Sequence, residues 1–555
     1  MSKNSIGKEE KDCVSVSSPP PGLTGMIYSV KTGEKSKKPV SAKTDPILPV
    51  KEPDKWDDEA DLIVVGGGGA GLAAALRAAQ KGASVILIEM GAETGGATQH
   101  ATGAICFGSK AQKRMNDINL PPMEVIYNMA LAGSNYSINP HLLRTILYKG
   151  AETMDWIEDL GIEWEVMTLW NMPNCHVPKG TLDKHWLMAQ KDVTDLLEKL
   201  GREKGVKYLF KTHASALVKK DNRIVGLKVR RGKEYMYLKA KKGVILAAGG
   251  LSNNRELLKI YIPQAYIGCG ASMDMPSAMG GVFRMGLGAG ADIAGVNSIS
   301  IFDGGIPYFE KTGSFYRYLY SGDVQLSRQP WLFINKSCER FINEDPSALQ
   351  MGFISKGSAI MSQPGGRAYV IFDNDYENNI GIFKGEFCEH ALTPDLPGMD
   401  KWNESICPKD WRIAVKKAID LEMIKTDPTI EGLAQKLELD PARFEERVVS
   451  YNKTCEAGVD HEFGKKTEFL IPIKNPPFYG IKVGSNIGAS QCGLRVNENF
   501  QVLDTNCSVI PGLYAAFHTA GGAIGENMMG GSVLADCHLA YTSGYVAGEQ
   551  ASTNA

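Results

Sequence analysis

At 555 residues the chain is too long for one ordinary hydrophobic core, so two or more domains are expected. Its 43% hydrophobic and 22% charged residues are those of a soluble globular protein, and a net charge of -2 without a long basic run argues against nucleic acid or an anionic membrane surface as partner. Eleven cysteines with no CxxC argue against a disulfide framework, an iron–sulfur cluster or a zinc site, and no metal is expected.

The N-terminus (MSKNSIGKEEKDCVSVSS) is polar and lacks the apolar core of a secretory signal. No uninterrupted apolar run of about 18 residues occurs, so no membrane span is expected and the chain is assigned to the cytoplasm. Residues 1–55, with many lysines and Pro19-Pro20-Pro21, read as an extended arm or a partly disordered leader. Asp61 to Val65 is a short apolar run ending in glycines, which suits a buried parallel strand. Leu72 to Lys81 reads as a helix and Ser84 to Glu89 as a second buried strand, completing a βαβ unit. Ala216 to Lys239 reads as a hairpin turning at Asp221-Asn222-Arg223, and Gly243 to Gly250 as a further strand and turn. Residues 258–472 lack nucleotide-site features and read as an inserted mixed domain. Gly512 to Ala516 is a last buried strand, followed by a glycine-rich loop and a helix from Ser532 to Gln550. The expected fold is therefore α/β: a Rossmann-like domain from two chain segments, 56–257 and 473–555, with an inserted α+β cap over 258–472.

Gly66-Gly67-Gly68-Gly69-Ala70-Gly71 satisfies GxGxxG, follows a strand, opens a helix and meets Glu89 at the end of the next strand. In that context it signals a dinucleotide site. Gly66 permits the tight turn, and Gly68 and Gly69 let backbone N–H groups approach a pyrophosphate. Gly71 lets helix and strand pack closely, and the helix N-terminus from Ala70 offers donors to phosphate. Glu89 can accept from a ribose diol. Three further features favour FAD, held non-covalently, over NAD. They are a second glycine block (Gly95, Gly96, Ala97, Thr98), the Ala248-Gly249 turn, and a late strand leading to Gly530-Gly531-Ser532 at a helix start. Gly103, Ala216, Val533 and Leu534 complete the candidate cofactor residues with Gly531 and Ser532.

These stretches carry a resemblance. DLIVVGGGGAGLAAALRAAQKGASVILIE, GGATQHATGAI, KKGVILAAGGLSNN, RFINED, IPGLYAA and GGSVLADC are similar to the fumarate reductase/succinate dehydrogenase flavoprotein superfamily, in its soluble branch with 3-ketosteroid dehydrogenases. The resemblance covers nearly all of the chain beyond the arm. It implies an FAD domain from two segments, a cap closing over the flavin, and hydride transfer between flavin N5 and a C–C or C=C bond beside a carbonyl. In dicarboxylate-reducing members an arginine follows the RFxNE block and another stands in the C-terminal glycine loop. Here Asp345-Pro346-Ser347-Ala348-Leu349 has no arginine, and Met528 takes the second place. The steroid-type members' C-terminal tyrosine falls near Met528 as well, so that match also fails.

Phe315-Tyr316-Arg317-Tyr318-Leu319-Tyr320 sets three phenols at alternate positions, which share one face if the segment is a strand. Tyr316, Tyr318 and Tyr320 are the candidates for proton handling, with plain aromatic packing as the alternative. His518 follows the last strand, where a cofactor-binding role fits better than catalysis. Trp156, Trp164, Trp170, Trp186, Met167, Met172 and Met188 either pack helices or line an apolar pocket, and packing is the simpler reading. His176 and His185 are read as surface histidines. The expected activity is FAD-dependent reduction, or introduction, of a C=C bond next to a carbonyl in a hydrophobic ring substrate such as a 3-ketosteroid or bile acid. The alternatives are a fumarate-reductase-type enzyme for a short unsaturated carboxylate and a flavin protein that has lost catalysis. Direction, electron donor or acceptor, and oligomeric state are left open.

Overall fold

The computed structural model describes residues 44–101, 103–115, 120–134, 136–169, 172–181, 189–272, 274–309, 314–316, 329–345, 353–379, 411–420, 422–524 and 536–553. Strand β1 (Asp58–Val65), helix α1 (Gly69–Gln80) and strand β2 (Val85–Ile88) form the expected βαβ unit, with Val65 opposite Ile88 in parallel register. Leu62, Ile63 and Val64 are wholly buried, which is why this strand reads as a continuous apolar run rather than an alternating one. Helix α2 (Pro140–Asp159) opens on Pro140 and is capped by the Asn139 side chain, which accepts from the His141 and Leu142 N–H groups.

Strand β3 (Lys207–Leu209) joins β2 in parallel. The chain then runs through a meander of β4 (Thr212–Lys220), β5 (Arg223–Arg231) and β6 (Glu234–Leu246). The first turn is tighter than expected: Lys220 pairs with Arg223, and Asp221 (φ 51°) and Asn222 alone connect them. The hairpin expected to end at Lys239 and the strand expected from Gly243 are one 13-residue strand. Its first half pairs with β5 and its second half lies parallel to β1, with Leu246 beside Val65 and a register shift between Ala240 and Gly243. Period-2 alternation and a continuous apolar run thus sit on one strand, because its two halves have different surroundings.

The intervening chain builds a second, seven-stranded sheet that includes β7 (Ile299–Phe309), β8 (Ala368–Asp373) and β9 (Phe478–Ser490). Strand β9 is its centre, antiparallel to both β7 and β8. It lies beyond residue 472, so the second sheet draws on chain from both sides of the expected cap boundary. The far end of β9 reaches the first sheet: the Ser490 N–H donates to Ser252 Oγ at 2.7 Å, and Leu251 N–H donates to Ser490 Oγ at 2.8 Å. RFINED has a structural role. Arg340, almost fully buried, makes paired bonds to Glu344 (2.7 and 3.1 Å) and Asp460 (2.9 and 3.0 Å).

Strand β10 (Val509–Ala515) returns to the first sheet, parallel to β6 with Ala515 beside Leu246. Helix α3 (Asp536–Thr553) then lies along α1. Their backbones approach closely because Gly544 and Gly548 have no side chains; a Cβ at either would overlap the carbonyl oxygens of Ala70 or Ala74. The α/β architecture is as expected: a Rossmann-like layer from two chain segments with an inserted cap. Among the described residues, no helix is long and apolar enough to cross a membrane.

Candidate cofactor and active site

Strands β3, β2, β1, β6 and β10 lie side by side and parallel, in that order, so their C-terminal ends form one edge. This is where ligands bind in open α/β sheets. At β1 the chain turns through Gly66 (φ 107°), whose N–H donates to Ile88 O at 2.9 Å. No other residue fits, because a Cβ would collide with the end of β6 at Ala247 O. Gly71 is equally constrained: its Cβ would overlap Gly66 O. Helix α1 starts with Gly68 as N-cap, with no side-chain cap and no acidic residue in its first turn. In front of Gly68 the space is open, with nothing within 4 Å of where a Cβ would sit. A helix start without an N-cap side chain of its own, facing open space, is suited to a phosphate.

The second glycine block backs this turn. Gly95 N–H donates to Gly67 O at 2.8 Å, and Gly96 (φ 51°) stands against Gly68 Cα. Ala97 precedes a short 3-10 turn from which Thr98 Oγ1 accepts the Gly69 N–H at 3.2 Å. Glu89 holds two loops at once: its Oε2 accepts from Gly67 N–H at 2.8 Å and its Oε1 from Gly91 N–H at 2.6 Å. Thr212 N–H donates to Glu89 O, which joins β4, and Ala216 within it, to the same edge.

On the other side, Ala247 N–H donates to Val65 O (2.8 Å) and Ala516 N–H to Leu246 O (2.9 Å), so the ends of β1, β6 and β10 are stitched in sequence. Ala248 and Gly249 follow β6. Gly249 (φ 78°) has open space where a Cβ would lie, and its carbonyl accepts from Thr519 Oγ1 at 2.9 Å. Phe517 packs against Ala70, Ala247, Ala516 and Ala540, and its ring stacks on His518 with centroids 3.6 Å apart. His518 is buried, and its Nε2 lies 3.2 Å from Gln491 Nε2. Open glycines at two neighbouring strand ends, an uncapped helix and a ribose-height carboxylate fit a dinucleotide laid across the edge.

The remaining expected residues have these surroundings. Gly103 packs against Cys175 Sγ on a neighbouring strand. Tyr316 ends a short strand, Ser314–Tyr316, opposite Ile306. Tyr318, Tyr320, Gly531, Ser532, Val533, Leu534 and Met528 lie outside the described residues. Trp156 and Trp164 are core residues: their indole N–H groups donate to Gln80 Oε1 (3.0 Å) and Met154 O (3.1 Å). Trp170, Trp186, Met188 and His185 lie outside the described residues.

The reading of His176 as a surface histidine is overturned. It is fully buried, with Nε2 2.7 Å from Ser109 Oγ and Nδ1 3.1 Å from Asn174 O, and burial pulls its pKa down to about 4. His538 on α3 is sealed against α2, where Gly150 leaves room for its ring. Burial, with His176 nearby, pulls its pKa down to about 3. Sequence reading missed this because the strand carrying His176, Met172–Pro178, is the middle of a three-stranded sheet that alternation in a Pro- and Asn-containing stretch does not announce. It also missed Gln491, Thr519 and Ser543, ordinary polar residues that only tertiary proximity brings to the edge. Among the described residues no group of three or more His, Cys, Asp or Glu could hold a metal ion.

With this geometry in place, the chain matches the family model described as FAD binding domain over residues 61–534. It is 30% identical over 481 residues, 84% of this chain and 91% of the relative, to the vinyl phenol reductase of Lactiplantibacillus plantarum. It is 25% identical over 565 residues to the NADH:acrylate oxidoreductase of Vibrio harveyi, covering 89% of this chain but only half (50%) of that relative's length. Among solved structures, the 3-ketosteroid delta1-dehydrogenase of Sterolibacterium denitrificans superposes with a TM-score of 0.67 at 18% identity, over 90% of this chain and all (100%) of that one, which is a likeness of fold alone.

Proposed function

The chain belongs to the FAD binding domain family, as an FAD-dependent oxidoreductase of C=C or CH–CH bonds, and from that premise we propose that its substrate is an apolar, ring-bearing alkene conjugated to an aromatic ring or to a ring carbonyl. Bound FAD supplies hydride exchange at its N5 atom. The residues of the chain do the rest. The α1 N-terminus and the Gly66–Gly71 turn take the pyrophosphate, Glu89 the adenylate ribose, and the ends of β6 and β10 the flavin half. The cap excludes water over the reacting bond, and a phenol Oη from Tyr316, Tyr318 or Tyr320 is the proposed proton carrier.

The observation that carries the substrate class is a missing charge. From Val496 to Ala555 there is no lysine or arginine, and none stands in Asp345–Leu349. A small dicarboxylate bound there would bury anionic oxygens without a guanidinium partner from either segment, at a cost of several kcal/mol. The likeness to a vinyl phenol reductase supports a ring-bearing alkene; the ketosteroid version rests on fold likeness and is the narrower form of the same proposal. Reduction of a short unsaturated carboxylate is the second reading, favoured by the likeness to an NADH:acrylate oxidoreductase.

The test is stopped-flow mixing of photoreduced holoprotein with 4-vinylphenol, a 3-ketosteroid enone, acrylate and fumarate. Fast flavin reoxidation by either ring compound supports the proposal. Reoxidation by acrylate or fumarate alone would replace it with the second reading. No acceleration by any of the four would mark a flavin protein without this catalysis.

A further inference from the structure

We propose that residues 44–57 form a strap that holds the helix Gly281–Ala289 against the nucleotide-binding layer, so that a docked strap and a bound flavin stabilise one another. This rests on the FAD reading above and adds to it a control element that lies outside the site. From the sequence, residues 1–55 read as an arm; the structure docks 44–55 of them onto the body through bonds to two separate parts of the chain.

The docking is built at both ends. At the helix, Ile47 N–H donates to Arg284 O at 2.9 Å, and Arg284 Nε donates to Asp45 O at 2.8 Å. One turn further on, Gly288 lets the strap cross: a Cβ there would lie 2.0 Å from Ile47 O, and its next nearest atoms also belong to Ile47 and Leu48. Val50 and Lys51 then pair in parallel with Val218 and Lys219 of β4, which makes the strap the edge strand of the nine-stranded sheet. Glu52 pairs with Lys220 at 2.8 Å. Trp56 lies over Gly226, where a Cβ would meet its ring at 2.6 Å. Asp57 N–H donates to Tyr237 O at 2.9 Å, and Tyr237 N–H returns a bond to Asp57 Oδ2 at 2.7 Å. A loose arm needs no glycines to clear its path, whereas this one meets a glycine on each of the two elements it crosses.

From the helix the contact continues to the cofactor edge. Gly286 packs on Leu494, with room for no Cβ, since one would lie 2.3 Å from Leu494 Cδ1. Leu494 belongs to the middle strand of a three-stranded sheet, Ile293–Ala294, Gly493–Arg495 and Ala520–Gly521. Backbone meets backbone there: a Cβ on Gly493 would lie 2.6 Å from Thr519 O, and one on Gly521 2.2 Å from Ala294 O. Such contacts have no side chains between them to absorb a shift, so displacing the helix displaces the 519–521 segment. Thr519 Oγ1 in turn holds Gly249 O at 2.9 Å, at the end of β6 where the flavin half is assigned. Coupling of this kind is reciprocal: whatever a docked strap adds to flavin binding, bound flavin adds to strap docking.

The test uses full-length wild type, Gly288→Ala, Ile47→Pro and the double variant. Melting temperature, hydrogen exchange of residues 44–57, and dissociation constants for FAD and for ADP, which is the adenylate half alone, are measured for each. Alanine is a better helix former than glycine, so helix propensity alone predicts that Gly288→Ala raises the melting temperature; expulsion of the strap predicts that it falls. Ile47→Pro removes the N–H that Arg284 O accepts and alters the strap without touching the helix; it keeps the idea testable if Gly288→Ala does not fold. Each single variant is expected to speed exchange in 44–57, to weaken FAD about fivefold and to leave ADP within about twofold of wild type. Gly288→Ala is expected to cost nothing further once Ile47→Pro has released the strap. Saturating FAD is expected to slow exchange of 44–57 in the wild type. A higher melting temperature in Gly288→Ala, or the same loss with and without Ile47→Pro, would overturn the docking. Unchanged FAD affinity with the strap released, an equal loss of ADP binding, or strap exchange indifferent to FAD would overturn the coupling. A wild-type chain that takes up neither FAD nor ADP would overturn the cofactor reading and the coupling with it, leaving the melting temperatures to decide the docking alone.

Discussion

Replacing Glu89 with alanine removes the acceptor for two backbone N–H groups, of Gly67 at 2.8 Å and of Gly91 at 2.6 Å. Hydrogen bonds to a charged group contribute about 1.5–3 kcal/mol each. Both are only partly buried, so water replaces part of each, and about 1 kcal/mol apiece is the reasonable loss. The two loops they hold are the ones that form the phosphate turn and its rim. A site that must order them on binding therefore loses about 2 kcal/mol, or about 30-fold in FAD affinity. Glu89→Gln keeps one acceptor and should fall between. Fluorescence titration with FAD, ADP and riboflavin separates this from general damage, because riboflavin lacks the phosphates and the adenylate half. FAD and ADP should weaken together while riboflavin does not. Glu89→Ala binding FAD within about threefold of wild type, or losing riboflavin as strongly as FAD, would refute the reasoning.

Three further outcomes are expected. Arg340→Met leaves two buried carboxylates, Glu344 and Asp460, with Lys465, 3.6 Å from Glu344, as the remaining buried cation; burial alone would raise the Asp460 pKa, and the Arg340 bonds win, holding it well below the usual carboxylate range. Removing Arg340 should cost about 3–5 kcal/mol, read as a lower urea midpoint and earlier proteolysis within the cap. Stability should also fall on acidification below pH 6.5. The unfolded chain takes up protons on His176 and His538 there, whereas burial keeps the folded pKa values near 4 and 3, so the loss continues down to those values. The expected slope is up to about 1.4 kcal/mol per pH unit for each histidine, and a urea-unfolding free energy that is flat from pH 6.5 to 5 would contradict their burial. Gly548→Leu drives a side chain into the Ala74 carbonyl and should separate α3 from α1 at a cost of about 1–3 kcal/mol, seen as a lower melting temperature; an unchanged value would mean the helices are not packed as described.

The glycine turn of the βαβ unit was legible in the sequence because its geometry is local. Gly66, Gly68 and Gly71 are needed within one turn, and Glu89 follows one helix and one strand later, so the whole pattern fits in a single βαβ unit. Apolar runs such as Leu62 to Val65 also announce themselves, since a parallel strand buried on both faces leaves no polar position to blur the pattern. By itself the sequence determined the fold class, the cofactor and the lack of lysine and arginine from Val496 to Ala555. Tertiary structure decided the rest. It made β6 one strand with two environments, placed β9 at the centre of a sheet begun far upstream, buried His176 and His538, and set Gln491 and Ser543 behind His518 and Phe517. The reason is range: a turn, a helix start or a buried strand depends on neighbours in the chain, whereas burial of a histidine depends on residues tens to hundreds of positions away, whose arrival no local pattern encodes.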